Sequence, residues 1–396
     1  MALCDCTSIL WTVCSFILVT ELCERMAFYT FSSTTVELMT SVFGADNVFA
    51  VEMTSLFNAL VYLTPVLGGY IADEHWGRYM TIVVFICIYL IGLVFCTISV
   101  YPSTENQALF LSGLLIFVSL GAGGIKANVV TLGADQFDEN DPESHKERTS
   151  YFNYFYWAIN IGAIIATGYF SNLAFNPVFF SGGVIPHDYG YFATFIIPLL
   201  SLFIAFIVFL SGTPRYVRKP PSGDVFSSFV KISPKVLFSS HVEGKVVSLS
   251  ALFLLIAALF IIISFFIEDQ AKFIVSIIGM CLILICCGLF AVFCRDISWF
   301  RDDMPEVPKV QDADQRRSKT ISNLRDVVRL LPYWGMLVAF WVCYNQQSTN
   351  FQLQGCQMNY LVGNTLLSPA FFSMFDALVI ILALPLVDNY LYPCIT

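Results

Sequence analysis

Charged residues are scarce in this sequence. Asp, Glu, Lys and Arg make up 12% of its 396 residues, whereas they form about a quarter of an ordinary soluble domain. Hydrophobic residues account for 57%, and the mean hydropathy is +0.73. The composition excludes an ordinary globular protein and indicates a multi-pass membrane protein. Its spans are expected to be helices, because lipid offers no hydrogen-bond partners to an open backbone, so we predict an all-α polytopic fold.

Several kinds of functional motif are also absent. No basic face with interleaved aromatic residues occurs, which argues against a nucleic-acid partner. The 13 cysteines lie mostly inside apolar runs and lack zinc or redox spacing, so we predict no metal site. No nucleophile elbow, phosphate loop or metal cluster is present. We therefore predict that the chain is not an enzyme and needs no cofactor, and no obligate protein partner is evident.

Apolar runs of about 20 residues, long enough to cross a ~30 Å hydrocarbon core, divide the chain into ten predicted spans. They cover residues 9–33, 51–72, 79–100, 108–131, 150–171, 190–211, 249–267, 273–294, 331–353 and 367–391. Arg25 and Lys126 lie within spans and Lys272 lies in a very short loop, but all the other basic residues fall on one side of the membrane. Because Lys and Arg mark cytosolic loops, the N-terminus is predicted to be cytosolic.

Two polar linkers indicate how the chain is organised. We predict an N-terminal six-helix bundle at 1–212, a middle region at 213–330 and two further helices at 331–396. The middle region would consist of cytosolic linkers that flank a helix pair at about 249–294. This pair has almost no polar residues inside, and we interpret it as structural.

Three ionisable residues, Glu21, Glu24 and Arg25, interrupt the first apolar run. A charge at the bilayer centre costs at least ~2.5–3.5 kcal/mol, so such residues face the interior of a helix bundle and mark ion or solute pathways. Glu21 and Arg25 are four residues apart and share a helix face, which predicts an ion pair, while Glu24 lies on an adjacent face and leaves one net negative charge. One carboxylate would then be free to bind a proton. A purely structural ion network is the alternative.

A polar turn follows the second span. Its sequence, GGYIADEHWGRYMT, contains Gly69, Asp73, Gly77 and Arg78. The glycines are expected to let two helix ends approach, and Asp73 and Arg78 are expected to cap or pair across the turn. The segment is typical of a major facilitator transporter, and an ordinary charged turn is the alternative.

Five motifs occur in a fixed order along the chain. They are ELCERMAFY, GGYIADEHWGRYMTI, GAGGIKANVVTLGADQFDEND, YFNYFYWAINIGAIIA and FWVCYNQQSTNFQLQ. Together they resemble the proton-dependent oligopeptide transporter family of the major facilitator superfamily. The resemblance implies a major facilitator fold in which the N-terminal six-helix bundle is complete. The C-terminal bundle would be partial, with the chain truncated after core span 8.

The resemblance also implies roles for individual residues. Glu21 and Glu24 would take part in proton binding, and Arg25 would hold the carboxylate of a peptide or pair with a glutamate when the site is empty. Lys126 would contact the same carboxylate and the first-span glutamates. The other positions expected to contact the substrate are Tyr29, Tyr62, Tyr156, Asn160, Asn345 and Asp376.

Some positions depart from the family pattern. Phe28 stands where the family usually has tyrosine, so one hydroxyl is lost next to Tyr29. Many relatives have an acid at the position of Asn345. At the position of Asp376 they commonly have an asparagine that binds the amino group of the peptide. An aspartate there could bind it more strongly or could titrate itself.

The predicted function is uptake of di- and tripeptides driven by inward proton flow, through alternating access of two helix bundles. The proton would be the coupling ion, and the peptide and the lipid bilayer would be the partners. The alternatives are transport of another small anionic or zwitterionic solute, such as nitrate or an amino acid, and a non-transporting truncated isoform or fragment. The plasma membrane is the expected location, with an endolysosomal or vacuolar membrane as the alternative.

The expected truncation leads to one further prediction. Without the rest of a C-terminal bundle, the last two spans would expose polar side chains to lipid, which costs free energy. We therefore expect the 396-residue chain, expressed alone, to give no proton-dependent dipeptide uptake above background.

Overall fold

The structure is a computed structural model. It describes residues 8–138, 141–221, 242–264, 267, 269–293, 330, 333, 337, 340–362 and 365–386. These residues are mainly helical, which confirms the predicted fold class. The chain divides into two compact units, the first formed by Met1–Pro221 with Gln347–Thr396 and the second by Ser222–Gln346.

The first unit contains the helices of the first six predicted spans. In chain order they are α1 (Ser15–Ser41), α2 (Asn47–Ile71), α3 (Gly77–Ser99), α4 (Gln107–Ser112), α5 (Ser119–Ala134), α6 (Pro142–Ile164), α7 (Ser171–Phe175), α8 (Pro177–Phe180) and α9 (Gly190–Ser211). Segments of π-helix lead into or continue several of them, at Leu10–Cys14, Ala72–Trp76, Gly113–Val118 and Ile165–Phe170. Because of these segments, α4 with α5 and α6 with α7 each form one helical path, as the predicted spans require.

Five helical stretches in the described part of the chain are long and apolar enough to cross a membrane. They are Asn47–Ser99, Gln107–Ala134, Ser144–Phe175, His187–Ser211 and Ala271–Phe290. The first of them contains both α2 and α3. Shorter apolar helices cover Ser248–Ser264 and Pro369–Ala383. Helix α1 is not among the five, because charged residues interrupt its apolar sequence.

Helix α5 lies very close to α2 and α3 because glycines line the contact. A Cβ added at Gly124 would stand 2.1 Å from the ring of Phe85, and one at Gly123 would stand 1.9 Å from the hydroxyl of Thr64. On the facing helix, a Cβ at Gly68 would stand 2.6 Å from the Cα of Gly124. We call Gly68, Gly123 and Gly124 the glycine seam. The helices approach closely at GAGG through these glycines, which fixes the position of Lys126 two residues later.

The turn between α2 and α3 contains the predicted ion pair. Arg78 Nε lies 3.9 Å from Asp73 Oδ1, and the Arg78 guanidinium also contacts Asp135, just after α5. Gly77 has a φ of 73°, a left-handed conformation that glycine adopts without steric cost. The turn therefore requires a glycine at this position.

The prediction for Gly69 is wrong. A Cβ added there would have no neighbour within 4 Å among the described residues, whereas Gly68 makes the close contact with α5. Adjacent residues of a helix point to different faces, so only one glycine of the pair can face the neighbouring helix.

The second unit contains an apolar helix pair, α10 (Val242–Ser264) and α11 (Asp269–Phe293). The two helices contact each other closely at Gly279, where an added Cβ would stand 2.9 Å from Ile261. Both helices begin a few residues before the predicted pair does. The predicted span at 331–353 lies partly outside the described residues, and its helical residues 340–345 are followed by a 3₁₀ turn at Gln346–Ser348.

The remaining described residues belong to the first unit. They form α12 (Asn350–Cys356), the strands β1 (Leu361–Val362) and β2 (Thr365–Leu366), a 3₁₀ turn (Pro369–Ser373) and α13 (Met374–Leu386). The strands make a short antiparallel pair that was not predicted from the sequence. Helix α13 packs against α6. The assignment of residues 331–396 to a separate C-terminal bundle therefore stays a prediction.

Candidate functional site

The charged residues of the first span are buried together. Glu21 is 2% exposed, Glu24 is 0% exposed and Arg25 is 3% exposed. Arg25 Nε lies 3.0 Å from Glu21 Oε1, which confirms the ion pair predicted from their spacing of four residues. Arg25 fits here because α6 has a glycine opposite it: a Cβ added at Gly162 would stand 2.8 Å from Arg25 Cβ.

Glu24 also pairs with Arg25, a contact that its position on an adjacent helix face did not predict. Neighbouring residues do start on different faces of a helix, but the arginine side chain is long enough to reach both carboxylates. Glu21 Oε2 and Glu24 Oε1 have no hydrogen-bond partner among the described residues. Two carboxylates share one guanidinium, and each keeps an oxygen on which a proton can bind.

Among the described residues, Lys126 makes no ion pair with the first-span glutamates that it is expected to contact. Its ammonium lies over the ring of Tyr62, 3.7 Å from the centroid, and 5.5 Å from the centroid of Phe28. Arg25 already occupies carboxylate oxygens, and the face of an aromatic ring attracts a cation. Lys126 is nevertheless close enough to Glu21 and Glu24 to interact with their charges. We call Glu21, Glu24, Arg25 and Lys126 the buried cluster.

Aromatic side chains surround the cations of this cluster. Phe28 lies 5.3 Å from the guanidinium carbon of Arg25 and makes an edge contact with Tyr29 at 5.2 Å. Phe28 therefore presents the face of its ring to Arg25, at a position where the family pattern has a tyrosine with a hydroxyl group. Tyr62 is 47% exposed, so its ring holds Lys126 on one side and remains accessible.

Two predicted substrate residues lie on α6. Asn160 is 5% exposed, and its side-chain amide donates a hydrogen bond to the carbonyl of Tyr156 at 2.8 Å. The side chain of Tyr156 is 41% exposed. Tyr156 is thus accessible to a solute, whereas one amide hydrogen of Asn160 is engaged within its own helix.

The last two predicted residues are further along the chain. Asp376 lies partly exposed in the first turn of α13, near the contact between Met374 and Gly168. Asn345 belongs to the second unit and ends the helical residues 340–345. Their contact with a substrate stays a prediction.

Tyr89 was not predicted as a site residue. It is fully buried, and the charges of Glu24 and Arg25 act on its hydroxyl. This hydroxyl has no hydrogen-bond partner among the described residues. The signal in the sequence is a lone tyrosine inside the apolar run ICIYLIGL, which by itself is more typical of packing.

A second group of charges lies at the turn between α2 and α3. Asp135 contacts Arg78 and also Lys219, whose Nζ lies 3.0 Å from Asp135 Oδ1. We call Asp73, Arg78, Asp135 and Lys219 the turn cluster. Of these four residues, only Asp73 and Arg78 were predicted from the sequence, although Asp135 lies in the motif GAGGIKANVVTLGADQFDEND.

The segment after α9 is fixed to this turn. Gln136 makes two hydrogen bonds with the backbone of Val217, at 2.8 and 3.1 Å. Burial raises the pKa of Tyr216, so its hydroxyl stays neutral and donates to the carbonyl of Phe209 at 3.0 Å. These contacts hold Lys219 next to Asp135.

Comparison with known proteins decides which family this arrangement represents. The family model PTR2, the POT family, matches residues 79–396. The chain belongs to the POT family. Members of this family are membrane transporters that use no cofactor, and no group of three metal-binding side chains occurs among the residues that the structure describes. The predictions of family and fold are confirmed.

The chain is similar to plant and animal members of the POT family. It is 29% identical over 410 residues to Protein NRT1/PTR FAMILY 8.5 of Arabidopsis thaliana, covering 97% of this chain and 63% of that protein. It is 27% identical over 391 residues to Solute carrier family 15 member 2 of Danio rerio, covering 96% of this chain and 45% of that protein. The chain therefore spans less than two thirds of the length of these relatives.

Solved structures of POT family transporters share the fold. The crystal structure of PepTSo matches with a TM-score of 0.71 and 23% identity over 96% of this chain and 69% of that chain. An auto-inhibited POT family peptide transporter matches with a TM-score of 0.71 and 25% identity over 96% of this chain and 68% of that chain. These matches confirm the fold of a POT family transporter of the major facilitator type.

Proposed function

We propose that this POT family chain takes part in proton-coupled symport of di- and tripeptides, with the buried cluster as the site where proton and substrate meet. The observation that carries the proposal is the pairing of two buried glutamates with a single arginine. Such a group has one negative charge more than Arg25 neutralises. A proton on either carboxylate removes this excess, and the unpartnered oxygens Glu21 Oε2 and Glu24 Oε1 are available for it.

The same arginine gives a physical link between proton and peptide. A guanidinium forms strong paired hydrogen bonds with a carboxylate, so the C-terminal carboxylate of a peptide would compete with a glutamate for Arg25. Protonation of that glutamate weakens its hold on Arg25 and favours binding of the peptide. Proton and substrate would thus bind with positive cooperativity.

Lys126 would supply the second cation for the peptide carboxylate. Because it rests on the ring of Tyr62 and makes no ion pair with a glutamate in the described part of the chain, it is available to an incoming anion. Tyr29, Tyr62 and Tyr156 would offer hydrogen bonds to backbone amides without adding charge. Asn160, Asn345 and Asp376 would bind other parts of the peptide, and Asp376 would bind its amino group.

Release of the substrate on the other side would follow the alternating access of two helix bundles. We propose the plasma membrane as the location, and a cytosolic N-terminus because most basic residues lie on one predicted side. The chain spans under two thirds of its plant relatives, so transport is proposed for the complete protein. Another small anionic or zwitterionic solute is the alternative substrate, since plant relatives carry the family name NRT1/PTR.

The test is uptake of labelled dialanine by cells that lack their own peptide carriers and express the complete protein. We expect accumulation above the external concentration that depends on an inward proton gradient. Glu24→Gln should abolish this accumulation but retain exchange of internal for external dialanine, because exchange need not move protons. Glu105→Gln, in an exposed loop, is the matched control and should behave like the wild type.

Two results would contradict the proposal. Proton-driven accumulation that is undiminished in both Glu21→Gln and Glu24→Gln would show that the carboxylates are structural. Uptake of nitrate without any competition by dialanine would favour the alternative substrate.

N-acetyl dialanine should compete with dialanine uptake much less well than free dialanine does if Asp376 binds the amino group. Equal competition by the two compounds would show that Asp376 does not have this role.

A further inference from the structure

A third glutamate of α1 is buried far from the buried cluster. Glu37 is 6% exposed and lies 12 residues beyond Arg25. At 3.6 residues per turn and 1.5 Å per residue, it lies about 24 Å along the helix from Glu21 and about 160° around it. Glu37 therefore faces other neighbours and cannot be part of the same ion network.

The neighbours of Glu37 come from both ends of the first unit. The hydroxyl of Ser368 donates a hydrogen bond to Glu37 Oε2 at 3.4 Å. The backbone N–H of Ser368 donates to Asn172 Oδ1, on α7, at 2.8 Å. Ser368 and Asn172 are both fully buried. The segment that leads into α13 is thus fixed onto the ends of α1 and α7 through these three side chains.

No cation balances the charge of Glu37 in the part of the chain that the structure describes. The charge of Glu37 acts on two titratable groups, Tyr191 from α9 and Cys356 from α12. Both are neutral when protonated, and Ser368 and Asn172 carry no charge. Glu37 Oε1 has no hydrogen-bond partner among the described residues. This environment differs from that of Glu21 and Glu24, which share an arginine.

A buried carboxylate without a cation is disfavoured in its charged form. We propose that Glu37 is a second proton-binding site, which takes up a proton when the segment at Ser368 closes over it. The proton would come from water on the side to which this end of α1 opens, which is the outside in the predicted orientation. It would return to the same side when Ser368 moves away.

The consequence is a pH-dependent closing step. A proton that binds and leaves on the same side crosses no membrane, so Glu37 would not change the number of protons moved per substrate. Because one proton is taken up on closing, the closing equilibrium would change by up to about tenfold per pH unit, with acid outside favouring the closed state. This inference rests on the proposed alternating access for its closing step.

Infrared spectroscopy of the complete protein in lipid nanodiscs tests the proton directly. At neutral pH, we expect the carbonyl band of protonated carboxyl groups to be weaker in Glu37→Gln than in the wild type, by the intensity that one carboxyl group contributes. Ser33→Ala, at a buried hydroxyl on the same helix that donates to the carbonyl of Thr30 at 3.2 Å, is the control and should keep the full band. Elution as a single species from size-exclusion chromatography confirms that each variant is folded.

The band also separates the other outcomes. An unchanged band in Glu37→Gln would show that Glu37 is ionised and would overturn the inference. Loss of the band in the wild type on addition of sodium chloride at constant pH would show that a metal ion occupies the site instead, which would also overturn it. Because the spectrum needs no substrate, it gives its answer even if dialanine uptake fails and the proposed function falls.

Where dialanine is transported, its exchange supplies a second readout. Exchange by the wild type should vary with external pH more steeply than exchange by Glu37→Gln, by up to about tenfold per pH unit. Equal slopes in the two proteins would contradict the pH-dependent closing step.

Discussion

The buried cluster and the turn cluster contain the same numbers of acids and bases but differ in their exposure to solvent and in how their charges pair. Each has two carboxylates, one arginine and one lysine. In the buried cluster, the side chains of Glu21, Glu24 and Arg25 are at most 4% exposed. In the turn cluster, the side chain of Lys219 is 49% exposed and that of Asp73 is 46% exposed.

The difference shows how burial changes the use of a charge. In the turn cluster, both Arg78 and Lys219 contact Asp135, and water reaches most of these groups. These ion pairs hold the turn in place. In the buried cluster, Arg25 serves two carboxylates while Lys126 lies on an aromatic ring. This leaves one carboxylate in excess around Arg25, which a proton can neutralise, and it leaves Lys126 without an ion pair to these glutamates, so that an anionic solute can bind it.

The largest effect should follow from Arg25→Met. It leaves two carboxylates buried together without the cation that pairs with both, and loss of one partner of a buried ion pair costs about 3–5 kcal/mol. We expect a marked fall in the thermal unfolding temperature of the purified protein in detergent. Arg25→Lys keeps the charge and should recover part of the loss. A variant as stable as the wild type would show that the glutamates are held by other contacts.

A smaller effect is expected for Arg78→Met in the turn cluster. Its side chain is 32% exposed, so the loss of its ion pairs should cost about 1 kcal/mol. High salt should reduce the difference from the wild type, because ions screen exposed charges over about 10 Å at 0.1 M. The same salt series should leave the effect of Arg25→Met nearly unchanged. Equal salt dependence of the two variants would remove the distinction between the clusters.

Tyr62→Leu tests whether Lys126 depends on its ring. Loss of a cation–π contact of about 0.5–1 kcal/mol should change the KM for dialanine by about two- to fivefold and leave the maximal rate similar. Tyr62→Phe keeps the ring and should behave like the wild type. If Tyr62→Phe is as impaired as Tyr62→Leu, the hydroxyl and not the ring is what matters.

The smallest effect should come from Lys219→Gln. An exposed ion pair contributes about 0.2–1 kcal/mol, and Asp135 keeps Arg78 as a partner. Thermal unfolding in 0.15 M salt should therefore differ little from the wild type. A loss comparable to that of Arg25→Met would mean that the segment after α9 is essential to the fold.

The residues of the buried cluster could be predicted from the sequence, but most of the contacts between them could not. The spacing of Glu21 and Arg25 predicts their ion pair, because the rule depends only on helix geometry. The contact of Glu24 with Arg25 depends on how a flexible side chain folds, and the position of Lys126 over Tyr62 depends on how two helices meet. Neither contact can be obtained from spacing along one helix.

The same limit applies to the fold. Apolar runs predicted the helices of the first six spans, because the thickness of the bilayer fixes the length of a span. The choice between Gly68 and Gly69 depends on the rotation of α2 towards α5, which sequence alone does not fix. The 3₁₀ turn at Gln346–Ser348 interrupts a run that is apolar up to that point, and only its consecutive glutamines hint at a change.

The glycine seam makes Lys126 and Tyr62 useful as a reporter. Helices in contact through glycines have no flexible side chains between them to compress, so α2 and α5 should move as one rigid body through a transport cycle. The distance between Lys126 and Tyr62 would then be the same in every conformation of the transporter. A spectroscopic label on this pair would respond to what is bound there and not to which way the protein opens, so occupancy could be followed separately from conformation.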